Sequence, residues 1–128
     1  MIVAGVGCRR GTSAPDIEAA IRAALAQAGV ASDALGAIAT TAAKHDEAGI
    51  ESAAANFGVR VVLVSEAELK AAGERTETKS ERVLALTGVP SIAEAAALAA
   101  AGPLARLISR RLVLGAATCA LAASEPAP

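Results

Sequence analysis

Aromatic side chains are almost missing from this chain: among its 128 residues there is no tryptophan, no tyrosine and one phenylalanine, Phe57. Single-stranded nucleic acid is gripped largely by stacking bases on aromatic rings, so recognition of that kind is excluded. Net charge is just as sparse. Twelve basic against thirteen acidic side chains leave a formal charge of -1, which supplies no global field for a polyanion or an anionic membrane. Any anion site must be local. The longest late apolar run, LVLGAATCALAA (112–123), falls short of the roughly 20 residues that span a bilayer, and Arg110 and Arg111 bound it. Two cysteines, Cys8 and Cys119, and one histidine, His45, form no recognised ligand spacing, so neither a metal nor another cofactor is expected. The start, MIVAGVG, lacks the charged opening and long apolar stretch of a secretory signal, and a reducing cytoplasm suits so few cysteines.

What the chain has is small apolar residues. Its hydrophobic fraction is 54%, mostly alanine, so the core must be built from Ala, Val, Leu and Ile. The length is that of one domain, expected over 1–123 with a flexible tail at 124–128. No internal repeat is evident.

Strand and helix signals alternate. IVAGVG (2–7) is an apolar run of strand length, and Thr12 or Ser13 can cap a helix with Pro15 in its first turn. Ile17, Ala20, Ile21, Ala24, Leu25 and Ala28 then recur at helical spacing until Gly29 supplies a stop. GAIATT (36–41) reads as a second buried strand, followed by a polar loop and a helix from about Glu47 to Asn56. RVVLVS (60–65) is a third strand, leading into a short helix over 66–73 and a polar connection over 74–81. Residues 80–87 fit helix or strand equally. Ser91 with Glu94 gives a capping-box pattern ahead of an alanine-rich helix that Gly102 and Pro103 end, and the remainder reads as two strands about a glycine turn. These signals predict a single three-layer α/β/α domain, α/β in class, whose mostly parallel central sheet of about five strands is made mixed by the closing hairpin.

Three segments carry chemistry. GVGCRRGTSA (5–14) places glycines at a strand-to-helix junction, where free backbone amides and the helix terminus favour an anion. It departs from a dinucleotide fingerprint by one residue and lacks the lysine of a phosphate loop. Arg9 and Arg10 fill the interval, and guanidinium groups bind carboxylates bidentately, so a polycarboxylate accounts for them better than a nucleotide. A tight turn with solvated arginines is the plainer explanation. The thiolate of Cys8 would be favoured beside two arginines and a helix terminus, whereas Cys119 belongs to the core. Lys44, His45, Asp46 and Glu47 combine cation, base and carboxylates on a loop facing the same sheet edge; Asp46 or Glu47 could equally cap the next helix. Thr87, Gly88, Ser91 and Glu94 flank a third helix start with free amides of its own.

GVGCRRGTSAPDIEAAIRAAL, KHDEAG, GVPSIAEAAALAAAG and the closing ATCALA together resemble the CobE/CbiG C-terminal domain family of cobalamin biosynthesis proteins over most of the chain. Positions matching the family pattern are Gly5, Gly7, Cys8, Arg9, Arg10, Gly11, Thr12 and Ser13, then Lys44, Asp46, Glu47 and Gly49, and later Ser91, Glu94 and Ala95. The segment LISRRLVLGAATCALA departs from the glycine- and lysine-rich approach to the last strand in longer members, which assigns no contact to Arg110 or Arg111.

The resemblance implies a part in building the corrin ring, with a precorrin or corrinoid bearing many carboxylates as ligand and other enzymes of that route as partners. The ligand-binding candidates are Gly7, Cys8, Arg9, Arg10, Gly11, Thr12, Ser13, Lys44, Asp46, Glu47, Ser91 and Glu94. The first expectation is a binding module that holds and presents such an intermediate. The alternative is a hydrolase of a lactone or acyl group, as in cobalt-precorrin-5A hydrolase, with Glu47 or His45 activating water and Arg9 or Arg10 stabilising an oxyanion. Neither nucleic acid nor membrane is an expected partner, and the late strands permit a monomer or a homodimer paired through their edge.

Overall fold

The computed structural model describes residues 1–44, 46–77 and 91–124. Its sheet has the order β3-β2-β1-β5-β4, with β1 spanning Ile2–Cys8, β2 Leu35–Thr41, β3 Arg60–Val64, β4 Arg106–Leu114 and β5 Ala117–Ala123. β1, β2 and β3 pair in parallel, while β5 runs antiparallel to both β1 and β4. Every strand but β5 therefore points the same way. The hairpin expected at the end of the chain folds its second strand into the sheet interior and leaves β4 on the edge, with Gly115 (φ 62°) making the turn between them.

Four helices cover the sheet among the described residues: α1 (Ala14–Ala28), α2 (Ala48–Phe57), α3 (Glu66–Gly73) and α4 (Ile92–Ala101). Side chains alternate along β1, so Ala4 and Val6 enter one core with Ile17, Ile21 and Leu25 of α1 and Ile50 of α2. Val3 enters the other, with Leu69 of α3 and Ala96 and Leu98 of α4. The three-layer α/β/α arrangement expected from the sequence is the one found.

Local signals explain most boundaries. The Ser13 hydroxyl accepts from the Asp16 N–H to start α1, and Gly29 ends it in the left-handed region at φ 71°. The stripe Ile17, Ala20, Ile21, Ala24 and Leu25 is buried, as its spacing predicts. α2 starts at Ala48, one residue later than expected. The lone aromatic ring, Phe57, lies beneath the Arg22 guanidinium at 4.8 Å, a cation–π contact worth about 0.5–1 kcal/mol that ties α2 to α1. α3 carries a complete capping box, Ser65 with Glu68, that the reading of the sequence passed over.

Some expectations fall elsewhere. Ser124, assigned to the tail, donates its N–H to the Met1 carbonyl and accepts from the Met1 ammonium at 2.7 Å. The rest of the tail, His45, Thr87, Gly88 and the ambiguous 80–87 segment lie outside the described residues. Among the described residues, no helix is long and apolar enough to cross a membrane.

α4 is the element on which the site depends. Residues 93–98 are all buried, because the helix lies between the sheet and α3. It comes so close to β1 that a Cβ on Gly5 would run into the Ala93 carbonyl and crowd the Ala97 amide. Both obstacles are backbone, which cannot swing aside. Gly5→Ala is expected to destabilise the fold by about 1–3 kcal/mol, as overpacking of a tight interior does. Urea unfolding would measure it, and an unchanged midpoint would contradict this packing.

Candidate functional site

The carboxyl ends of β1, β2 and β4, the β4–β5 turn and the N-termini of α3 and α4 meet along one edge of the sheet. A cleft of about 1050 Å³ opens there, at the upper end of small-molecule sites. Gly7, Cys8 and Arg9 line it from the end of β1, and residues 40–44 from the end of β2. Glu66 and Leu69 of α3 and Ile92 and Ala93 of α4 form a second wall, and Arg111, Val113, Gly115, Ala116 and Thr118 of the hairpin close the third.

Its charge is one-sided. Arg9, Lys44 and Arg111 form no ion pair among the described residues, whereas the lining carboxylate of Glu66 is already engaged by Lys70 at 3.0 Å. Unpaired cations around a concave surface attract an anion more strongly than the near-neutral total charge suggests. Among the described residues no group of three or more His, Cys, Asp or Glu could hold a metal ion.

The residues singled out from the sequence divide by position. Gly7, Cys8, Arg9 and Lys44 line the cleft, although the Cys8 side chain packs against the α1 core. Arg10 and Asp46 meet each other instead at 3.5 Å, both well exposed, in a pair worth at most about 1 kcal/mol and therefore easily exchanged for another partner. Glu47 is turned inward: it is 5% exposed, and its Oε2 accepts the Gly11 N–H at 3.1 Å while Oε1 is buried with no hydrogen-bond partner. Leaving such an atom unsatisfied costs about 1–3 kcal/mol; the bond from Gly11, which joins the β1–α1 loop to the start of α2, works against that cost. Thr12 donates to the Arg9 carbonyl at 2.6 Å, closing a turn in which Gly11 takes φ 80°. Ser13 and Ser91 cap α1 and α4. Glu94 is fully buried and accepts backbone N–H groups from Glu77 and Arg111.

The glycines divide the same way. A Cβ on Gly49 would run into the Thr12 carbonyl, which is backbone, whereas one on Gly7 would crowd only the Thr118 hydroxyl, a side chain that can turn. Close approach within the fold accounts for Gly49.

Cys8 corrects an expectation. Burial is the largest influence on its thiol and raises its pKa; Lys44 and a hydrogen bond with Thr12 pull the other way, and Glu47 adds to the rise. The predicted support from the arginines does not act on it: Cys8 packs against the α1 core, Arg10 extends into solvent, and the cation that favours the thiolate is Lys44. Cys119 sits on the neighbouring strand, wholly buried, with its thiol pushed up to about 12.

Sequence reasoning missed Arg111, Thr118 and the backbone of residues 40–43 as cleft-lining groups. One signal for Arg111 was present. Adjacent arginines in a regular strand point to opposite faces, so the pair Arg110 and Arg111 marks a place where one must either be buried or the strand must bulge.

Comparison with known proteins gives a consistent result. The family described as cobalamin synthesis G C-terminus matches residues 2–122. A protein CobE of Sinorhizobium sp is 41% identical over 121 residues, covering 94% of this chain and 79% of that protein. A cobalt-precorrin-5A hydrolase of Priestia megaterium is 32% identical over 102 residues, 80% of this chain but 27% of the hydrolase. Among solved structures, that of CobE, a protein from the cobalamin (vitamin B12) biosynthetic pathway, matches with TM-score 0.88 and 35% identity over 95% of this chain and 89% of that one. Cobalamin biosynthesis protein chiG from Agrobacterium tumefaciens str. C58 matches with TM-score 0.75 and 44% identity over 98% and 100%.

A raised pKa keeps the Cys8 thiol protonated through neutral pH, and protonated thiols are poor nucleophiles. Iodoacetamide at pH 8 is expected to modify Cys8 more slowly than free cysteine and Cys119 only on unfolding. Lys44→Ala is expected to slow Cys8 further, because Lys44 favours the thiolate. Peptide mass analysis over time reads both rates; modification of Cys8 faster than free cysteine would reverse the assignment.

Proposed function

The chain belongs to the CobE/CbiG C-terminal family of cobalamin biosynthesis proteins, and from that premise we propose that its cleft binds a polycarboxylated precorrin or corrinoid intermediate and presents it to the next enzyme of the route. The observation that carries this reading is the set Arg9, Lys44 and Arg111, unpaired among the described residues, around a cleft lined there by a single carboxylate, Glu66, that has Lys70 beside it. Corrin intermediates bear carboxylates around a broad macrocycle, and charge-assisted hydrogen bonds from a rim of cations suit that pattern. Leu69, Ile92, Ala93 and Val113 give the same cleft apolar surface for the face of the ring. A cytoplasmic place of work belongs to the same reading, for which a chain with so few cysteines is suited.

Hydrolysis is the second reading, drawn from the similarity to a protein named as a cobalt-precorrin-5A hydrolase, of which this chain spans 27%. Holding and presenting is preferred on chemical grounds. The Cys8 thiol is kept protonated, and Glu47, the carboxylate considered for activating water, is buried behind the β1–α1 loop with Oε2 on the Gly11 amide.

Titration with cobyrinic acid, a corrinoid with free carboxylates, tests the proposal, with cobinamide as its amidated counterpart. The protein is expected to retain the acid stoichiometrically, to discriminate against the amide, and to leave the pigment chemically unchanged. Arg9→Ala combined with Lys44→Ala should weaken retention by roughly a hundredfold, about tenfold for each lost charge-assisted bond, and flatten its salt dependence. Equal affinity for both corrinoids would defeat the carboxylate reading, and turnover of a precorrin would replace presentation by catalysis.

A further inference from the structure

β4 breaks register with β5 twice, once between Leu107 and Ser109 and again between Ser109 and Leu112. Arg110 and Arg111 consequently have no Cα partner on β5. A bulge frees backbone groups from the ladder, and the N–H of Arg111 is directed at Glu94 Oε2, 2.8 Å away on α4. The other oxygen, Oε1, accepts the Glu77 N–H at 2.7 Å. Glu94 has no exposed surface. Burying a carboxylate is expensive, and where stability alone is at stake apolar packing does as well or better. The place of the bulge suggests what else the carboxylate does, because the residue it holds, Arg111, lines the cleft.

We infer that Glu94 is a positioning residue for ligand binding: by accepting the N–H that the bulge releases, its buried carboxylate sets the backbone from which Arg111 presents its guanidinium to the cleft. This inference deepens the corrinoid reading and rests on it. Lys44 follows β2, Arg9 ends β1, and Arg111 stands on β4, two strands beyond β1. At the usual spacing of strands, Arg111 is set off from the line of β1 by about 10 Å and from that of β2 by about 14 Å. The backbone positions that carry these cations are thus spread across the cleft, an arrangement that suits a broad molecule with several carboxylates, and Glu94 sets the outermost of them.

Two measurements test this on the whole chain. Hydrogen exchange on the ligand-free protein reads the clamp directly: the Arg111 amide should be protected, and should exchange at least about tenfold faster in Glu94→Gln. Fast exchange of that amide in the wild type would overturn the inference whatever the protein binds. Affinity for cobyrinic acid reads the consequence. Arg111→Gln should weaken it about tenfold and flatten its salt dependence. Glu94→Gln should weaken it in the wild-type background but cause no further loss beside Arg111→Gln, since one acts through the other. Arg106→Gln, at the exposed far end of β4, should leave it unchanged. Independent, additive losses would reduce Glu94 to a structural group and overturn its positioning role. Should Glu94→Gln fail to fold, the wild-type exchange rate and Arg111→Gln still decide. Absence of cobyrinic acid binding by the wild type would overturn the corrinoid reading and the ligand role of Arg111 with it, whereas wild-type binding that Arg111→Gln leaves intact would overturn the present inference alone.

Discussion

Helix α4 lies on β1 because Gly5 offers no side chain to hold it off. From that contact follow the position of Ile92 and Ala93 as a wall of the cleft, the burial of Glu94, and the side of the sheet on which the cleft can open. Alanine richness serves the same end. Small side chains let helices approach the sheet closely, and a chain with one aromatic ring can still fill its interior by drawing its layers together.

Two buried carboxylates hold the edges of the site in place. Glu47 joins the β1–α1 loop to the start of α2 through the Gly11 amide, and Glu94 joins the bulge of β4 to α4. Both carry the chemistry of a ligand contact when judged by residue type, and in the fold both have backbone partners. A carboxylate withdrawn from water needs hydrogen bonds wherever it finds them, and the loops that line a cleft are rich in unpaired amides. The result is a division of labour in which acids shape the cleft from behind while the cations, Arg9, Lys44 and Arg111, face it.

This arrangement also reconciles a near-neutral chain with the polyanionic ligand proposed for it. The balance of charge is even overall, but Glu94 and Glu47 are turned inward and Glu66 is matched by Lys70. What the cleft presents is cationic. Membership of a cobalamin biosynthesis family supplies the pathway in which such a surface works.

Much was legible along the chain. Strand runs, the stripe of α1, the caps at Ser13 and Ser91 and the glycine stops at Gly29 and Gly102 are local patterns, and local physics is enough to read them. The arginines of GVGCRRGTSA were legible as cations at a strand end for the same reason, and one of them, Arg9, faces the cleft. Tertiary structure decided what depends on neighbours distant in sequence. It placed β5 inside the sheet, turned Glu47 and Glu94 toward backbone amides, raised the Cys8 thiol by burial where adjacent arginines suggested the opposite, and brought Arg111, to which the sequence assigned no contact, to the wall of the cleft. Hydrogen-bond partners and burial are properties of the packed chain, so residue type announced which groups could carry charge, and only the fold determined which of them line the cleft and which meet each other.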